Sequence, residues 1–189
     1  MKSYREDEIV DGVNFTEIAF EKGEYESCKF RSCNLASVDI GDTIFSACKF
    51  ESCDLSMAKL TNTSFREVQF QNCKQLGLRF DTCGKMLLSF SFEGCVLDFA
   101  SFYQLKLKGT IFKSCKLQKV EFMEADLTNA SFAGCDLDSA VFENTVLEGC
   151  DFRTAYNFSI DPELNRMKKA RFSASGVAGL LTKYGLKIE

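Results

Sequence analysis

The chain has 189 residues and a net charge of −4, with 46% hydrophobic and 26% charged residues, so it reads as globular rather than disordered. It contains no His or Trp, 19 Phe, 10 Cys and a single proline, Pro162. Without imidazole, a Ser or Cys triad, a His metal site and a neutral-pH proton shuttle are all excluded.

The chain opens with "MKSYREDEIVDG", which is too charged for a signal peptide, and no apolar run approaches a membrane span. A cytoplasmic protein without membrane contact is the expectation. Residues 1–12 carry four acids against two bases. They are expected to form an N-terminal cap.

From residue 13 the pattern is neither helical nor a simple strand. Large residues fall every five positions, from Phe15 through Phe20, Tyr25 and Phe30 to Phe80, and again from Leu87 to Phe152. Of these 28 centres only Gln75 is polar. A helix repeats near 3.6 residues and a strand at 2. From Phe122 to Phe152 a small residue sits two positions before each centre, as in Ala125, Ala130, Cys135 and Ala140. A two-residue insertion near 81–87, within "DTCGKML", restores the frame between Phe80 and Leu87.

Sorting the centres by fours reveals a second period of twenty. One column reads Phe30, Phe50, Phe70, Phe92, Phe112, Phe132 and Phe152; another reads Leu35, Leu55, Gln75, Leu97, Leu117 and Leu137. Cys33, Cys53, Cys73, Cys95, Cys115 and Cys135 share a third. The reading is a coil of four five-residue sides per turn, stacked on itself at about 4.8 Å per winding. Centre and small residue both point inward, so the ten thiols are expected to pack as small hydrophobes. Zinc needs four converging thiolates, whereas a column presents them in parallel. No metal or other cofactor is expected.

The slip brings Gly84, Lys85, Met86 and Leu88 together, with Phe99 and Tyr103 as further outward apolar residues nearby. These six are a candidate partner-binding surface, or else a tolerated insertion. Gln75 is expected to reach a backbone carbonyl or a water. Acid pairs such as Asp136 with Asp138 lack an evident cleft, so no catalytic residues are assigned.

After Phe152 the frame persists in weakened form, and residues 158–189 read as a degenerate final turn plus a tail. Asp161 and Pro162 also look like a helix start. Val177, Leu180, Leu181 and Tyr184 form one stripe at helical spacing, which predicts a short α-helix capped by Ser173 or Ser175 and stopped at Gly185. Leu186 begins "LKIE", a possible closing strand. The tail either lids the rod or pairs with its copy as an isologous homodimer.

The motifs "EADLTNASF", "AGCDLDSAVF" and "CNLASVDI" make residues 13–157 resemble the pentapeptide repeat family, whose motif is A(D/N)LXX. The resemblance implies an all-β solenoid, a right-handed quadrilateral β-helix, here with a short C-terminal α-helix. It further implies a non-enzymatic interaction protein that binds a partner through its outer wall or tail. Members of the quinolone-resistance (Qnr-like) group are dimeric rods that mimic DNA and engage DNA gyrase or topoisomerase IV, which makes a type II topoisomerase the alternative partner. Direct nucleic-acid binding is not expected of an acidic wall. This chain departs from many of that group in lacking long projecting loops.

Overall fold

The computed structural model describes residues 3–187, and these form a four-walled solenoid of short parallel segments. Wall 1 contains β1 (Ser3–Glu6), β3 (Gly23–Glu26), β5 (Ile44–Ser46) and β7 (Ser64–Arg66). Wall 2 contains β2 (Ile9–Asp11), β4 (Lys29–Arg31), β6 (Lys49–Glu51), β8 (Val68–Gln71), β9 (Phe90–Glu93), β10 (Ile111–Lys113) and β11 (Ser131–Ala133). Walls 3 and 4 are held by single bridges, such as Asn34 to Asp54 to Lys74 and Ser101 to Glu121 to Val141. Pairing is parallel throughout, and away from the slip every partner lies twenty residues on: Phe30 with Phe50, Phe112 with Phe132.

The five-residue period follows from what each side must do. Centre and small residue are both buried, and the residues between and beyond them face out. Two residues past most centres the backbone turns the corner at positive φ, as at Ser32 (48°), Ser37 (61°) and Asp42 (58°). A non-glycine residue there costs roughly 1–2 kcal/mol. The cost is offset because the turned amide donates to the next winding: Ser32 to the Glu51 carbonyl at 2.9 Å, Ser37 to Ser56 at 2.8 Å.

Aromatic stacking sets the core. Eight rings from Phe30 to Phe172 form a continuous column on wall 2, with neighbouring centroids 4.7–5.3 Å apart. Seven steps at ~4.8 Å make a rod of roughly 34 Å. In the N-terminal half a second column, Tyr25, Phe45 and Phe65, runs beside it on wall 1. In the C-terminal half the second column is Phe80, Phe102, Phe122 and Phe142 on wall 4, meeting the first edge to face.

The slip lies where this second column changes walls, and it differs from the expected arrangement. Leu87, expected as an inward centre, is 69% exposed with φ 57°: it is a corner residue. The chain keeps its old frame through Leu87, and the two extra residues come directly after it. Leu88, expected to face outward, instead packs partly buried against the core. Phe90 stands opposite Val68 in the small position and is buried, within 5.3 Å of Phe80 and 6.4 Å of Phe65. With no inward side chain from Lys85 or Leu87 above Phe65, an oversized residue next door fills the space.

Both ends also differ from expectation. The first residues are not a separate cover but part of the coil: Arg5 pairs with Tyr25 in wall 1 and Val10 with Phe30 in wall 2. Arg5 takes a centre position, and its guanidinium lies 6.0 Å from the Tyr25 ring centroid while pairing with Glu8 and Glu21. Residues 1 and 2 of the expected cap lie outside the described residues.

At the other end Asp161–Pro162 start no helix. Glu163 N–H turns back to Asp161 Oδ1 at 2.9 Å, and the coil continues through Arg166, bridged to Val146, and Arg171, bridged to Asp151. The tail forms 3-10 turns at Gly176–Leu180 and Thr182–Tyr184 rather than an α-helix. Gly176 and Gly179 weaken helix propensity. Packing also demands Gly179, since a Cβ there would lie 2.4 Å from the Phe158 carbonyl oxygen. Ser173, not Ser175, receives the Gly176 N–H, and Gly185 ends the last turn at φ 59°. The possible strand at "LKIE" falls partly on residues 188–189, outside the described residues.

Gln75 is fully buried in the leucine column, and neither a backbone carbonyl nor any other group among the described residues bonds its Oε1 or Nε2. An unsatisfied buried amide costs about 1–3 kcal/mol. Gln75→Leu restores the column and should raise unfolding free energy by an amount in that range in urea titrations; a loss of stability would show that a buried water serves the amide.

All ten cysteines are buried and free. Burial pushes the Cys48 and Cys150 thiols up to about 12. Unfolded thiols ionise near ~8.5, so above that pH the folded chain retains protons that the unfolded chain releases. The stabilisation is complete below this pH and is lost as pH climbs towards 12. The midpoint of thermal unfolding should therefore fall between about pH 8 and pH 10.5, and fall less in Cys48→Ala/Cys150→Ala. An equal fall in that variant would assign the alkaline loss to other groups.

Candidate partner-binding surface

The inside of the rod is filled, so chemistry towards other molecules must come from its walls, corners and ends. The walls are largely self-neutralised. Glu51 takes Lys49 at 2.5 Å and Arg31, one winding away, at 3.2 Å. Glu93 takes Lys113 at 2.7 Å, Asp126 takes Lys108 at 3.2 Å, and Glu148 takes Arg166 at 2.8 Å. Asp151 lies between Arg153 and Arg171, and hydrogen bonding from Arg153 holds its carboxyl down at about 2. Exposed pairs of this kind contribute at most ~1 kcal/mol each. Their consequence is a wall whose carboxylates are already engaged.

Other acids of the walls, Asp136 of the noted pair among them, are likewise bound up. Asp136 is nearly buried and accepts from Gln118 Nε2 at 2.8 Å and Asn157 Nδ2 at 2.9 Å. Burial opposes its ionised form, but these hydrogen bonds outweigh that and keep its pKa below the ordinary value. Glu124 accepts from Gln104 Nε2 at 2.7 Å and from the Tyr103 hydroxyl at 3.3 Å.

The six candidate residues at the slip do not gather into one patch. Gly84 is half-buried, and its N–H donates to the Thr63 carbonyl at 2.9 Å. Lys85 and Met86 are exposed, Met86 to 76%, while Leu88 turns inward. Phe99 is 59% exposed but sits at the corner diagonally opposite, in the column of Ser37, Met57 and Lys119, with Lys119 Nζ 5.1 Å above its ring. Tyr103 lies on wall 4, half-buried and tied to Glu124.

Residues overlooked in the sequence complete the surface around Met86. Leu87 is exposed beside it. Ile111 is 52% exposed and lines a shallow depression of about 250 Å³ with Ser89, Phe90 and Gly109. Gly109, which lacks a side chain, occupies the same corner one winding above Leu87 and leaves it bare. The signal was present: Leu87 lies two positions past the old centre at 85, the corner position in every other winding.

The tail residues serve two directions. Leu180 and Leu181 are partly buried, and Leu180 packs against the core. Val177, Tyr184 and Leu186 remain exposed. The tail is fastened to residues 158–163: Ile160 N–H donates to the Gly179 carbonyl at 3.0 Å, and Lys183 Nζ lies 2.8 Å from Asp161 and 2.7 Å from Glu163. Beneath it a depression of about 390 Å³ is lined by Phe142, Ile160, Leu164 and Leu180, with Lys183 at its rim. Among the described residues no helix is long and apolar enough to cross a membrane.

Residues 85–156 match the model for a pentapeptide repeat region, and residues 28–67 and 43–74 match the model for pentapeptide repeats in eight copies. Comparison with curated proteins gives no significant match. Among solved structures the chain is similar to full-length QnrB1, a plasmid-mediated fluoroquinolone resistance protein, at 18% identity and a TM-score of 0.43, covering 97% of this chain and 100% of the other. It is also similar to HetL of the cyanobacterium Nostoc sp. strain PCC 7120, a pentapeptide repeat protein involved in heterocyst differentiation regulation, at 14% identity and a TM-score of 0.43, covering 91% and 87%. Rfr23 of the cyanobacterium Cyanothece 51142 matches at 16% identity and a TM-score of 0.21, covering 77% and 88%. The two family models together span well over half of the sequence, in step with the five-residue sides and twenty-residue windings: the chain belongs to the pentapeptide repeat family.

Proposed function

We propose that the chain is a non-enzymatic interaction rod that binds a protein partner at the slip, through Met86, Leu87 and Ile111. The observation that carries this reading is the break in wall 1 after β7, where two large apolar side chains stand clear of a wall that elsewhere engages its own charges. Exposed apolar clusters on an otherwise polar surface mark interaction sites. A protein edge with one or two aliphatic side chains suits the depression beside Ile111, and Lys85 adds a cation at its margin. Catalysis is disfavoured because Asp136, Asp151 and Glu124 are committed to neighbouring donors.

A second reading is DNA mimicry towards a type II topoisomerase. The acidic N-terminal portion favours it: residues 3–26 carry eight carboxylates against Arg5 and Lys22. The neutralised middle of the walls does not extend that field along the rod.

Two measurements separate these readings. Met86→Asp/Leu87→Asp places charge at exposed positions, so the fold should survive while capture of the partner by the immobilised chain drops at least tenfold. Equal capture by both forms would remove the slip as the binding site. In a gyrase supercoiling assay with and without a fluoroquinolone, the slip reading predicts no change. Inhibition of supercoiling, or relief of drug-induced cleavage, that persists in the double variant would establish the second reading instead.

A further inference from the structure

The two ends of the rod carry opposite charge. Residues 3–26 hold eight carboxylates and two bases, whereas residues 153–187 hold seven bases and two carboxylates, Asp161 and Glu163. The middle is nearly balanced by its own ion pairs, so the rod is an electric dipole with its poles at the open ends of the coil.

Those ends also correspond wall by wall. At the first winding β1 and β2 are the outermost strands of walls 1 and 2, and nothing pairs with their outer edges among the described residues. At the last winding the bonds of residues 176–184 run to residues 158–163 and to Ser173, and Arg166, Lys168, Lys169 and Arg171 are exposed on the same two walls. Phe172 is half-buried, stacked on Phe152 and met at a tilt by Phe158 at 5.5 Å. Asp7 (φ 55°) begins the corner column between walls 1 and 2, and Lys169 (φ 63°) ends it.

From this correspondence we infer that a second copy of the chain docks its first winding onto the last winding of the first, head to tail. Continuing the coil in phase sets Glu6 over Lys168, Asp7 over Lys169, Tyr4 over Arg166 and Val10 over Phe172. Among the described residues Glu6, Asp7, Lys168 and Lys169 make no ion pair, so their charge is available to a neighbour. Tyr4, Ile9 and Ile18 are each more than half exposed at the acidic end and add apolar surface around the contact. Acid on an outermost strand prevents two such strands from pairing with each other, yet admits a basic partner. An isologous contact of two tails would instead place basic end against basic end. A head-to-tail contact does not close on itself, so it propagates as an open series. The inference goes beyond the binding of a partner at the slip, and neither depends on the other.

Sedimentation velocity on the whole chain tests it, with circular dichroism confirming that each variant is folded. At low salt the wild type should form a concentration-dependent ladder of dimers and longer species, which collapses towards monomer near 1 M salt, where screening reaches ~3 Å. Glu6→Lys/Asp7→Lys should be monomeric, and so should Lys168→Glu/Lys169→Glu. A mixture of the two should associate again, because each supplies the sign the other lacks. Three results would overturn the inference: a wild type that is monomeric at low salt, a dimer that never grows further and survives both charge reversals, or reversed variants that fail to associate when mixed.

Discussion

Everything in this molecule depends on one winding lying directly over the next. The parallel ladder fixes the distance between windings, and a residue's neighbour in space is therefore its neighbour twenty positions along the sequence. A ring stacks on a ring, a thiol on a thiol, and a turned corner amide donates into the winding above. No single winding could bury its own interior: the five-residue side is too short, and each centre has as much contact with the layers above and below as with its own. The left-handed corner residues show how strict the constraint is. Most are not glycine, and the chain accepts that conformational cost at nearly every corner because the alternative is to lose the ladder.

The slip is best understood through packing volume. Below it, the second ring column stands on wall 1; above it, on wall 4. In the winding between, wall 1 presents no inward centre, and Phe90 fills the gap from a column that otherwise, from Cys28 to Ala170, holds Val, Thr, Cys or Ala. The two extra residues allow this without losing the stacking of Phe70 on Phe92. Met86 and Leu87 then project because the chain has no interior place left for them. An exposed apolar surface thus arises from a repair of the core. The same winding contains Gln75, whose amide is buried without a partner among the described residues.

The five- and twenty-residue periods made most of this legible in the sequence. The columns of Phe30, Leu35 and Cys33, the burial of all ten thiols, and the location of a break near residue 85 follow from spacing alone. Three things did not. Leu87 was assigned inward because a leucine in roughly the right place satisfies a pattern of size, whereas the corner is defined by backbone conformation. The first winding was hidden because its centre is Arg5, a residue that completes the end of the core through cation–π contact rather than by being apolar. The tail has a helical stripe, yet Gly179 lies against the Phe158 ring, and this packing overrides the stripe. At the surface, Phe99 was grouped with Met86 by nearness in sequence, although its place two past Leu97 in the Leu35 column already sets it on the diagonal corner.

The orientation of the ladder has a mechanical corollary. The hydrogen bonds between windings run along the length of the rod, as from Ser114 to Ala133 and from Asn129 to Glu148. Traction applied at the two termini therefore peels the outermost turn first, like stitches in a seam, and the next turn takes the load only once that one has given way. Each turn released adds about twenty residues of free contour, roughly 65 Å. Stretched in this way, the protein yields as a sequence of equal, modest increments instead of one abrupt rupture.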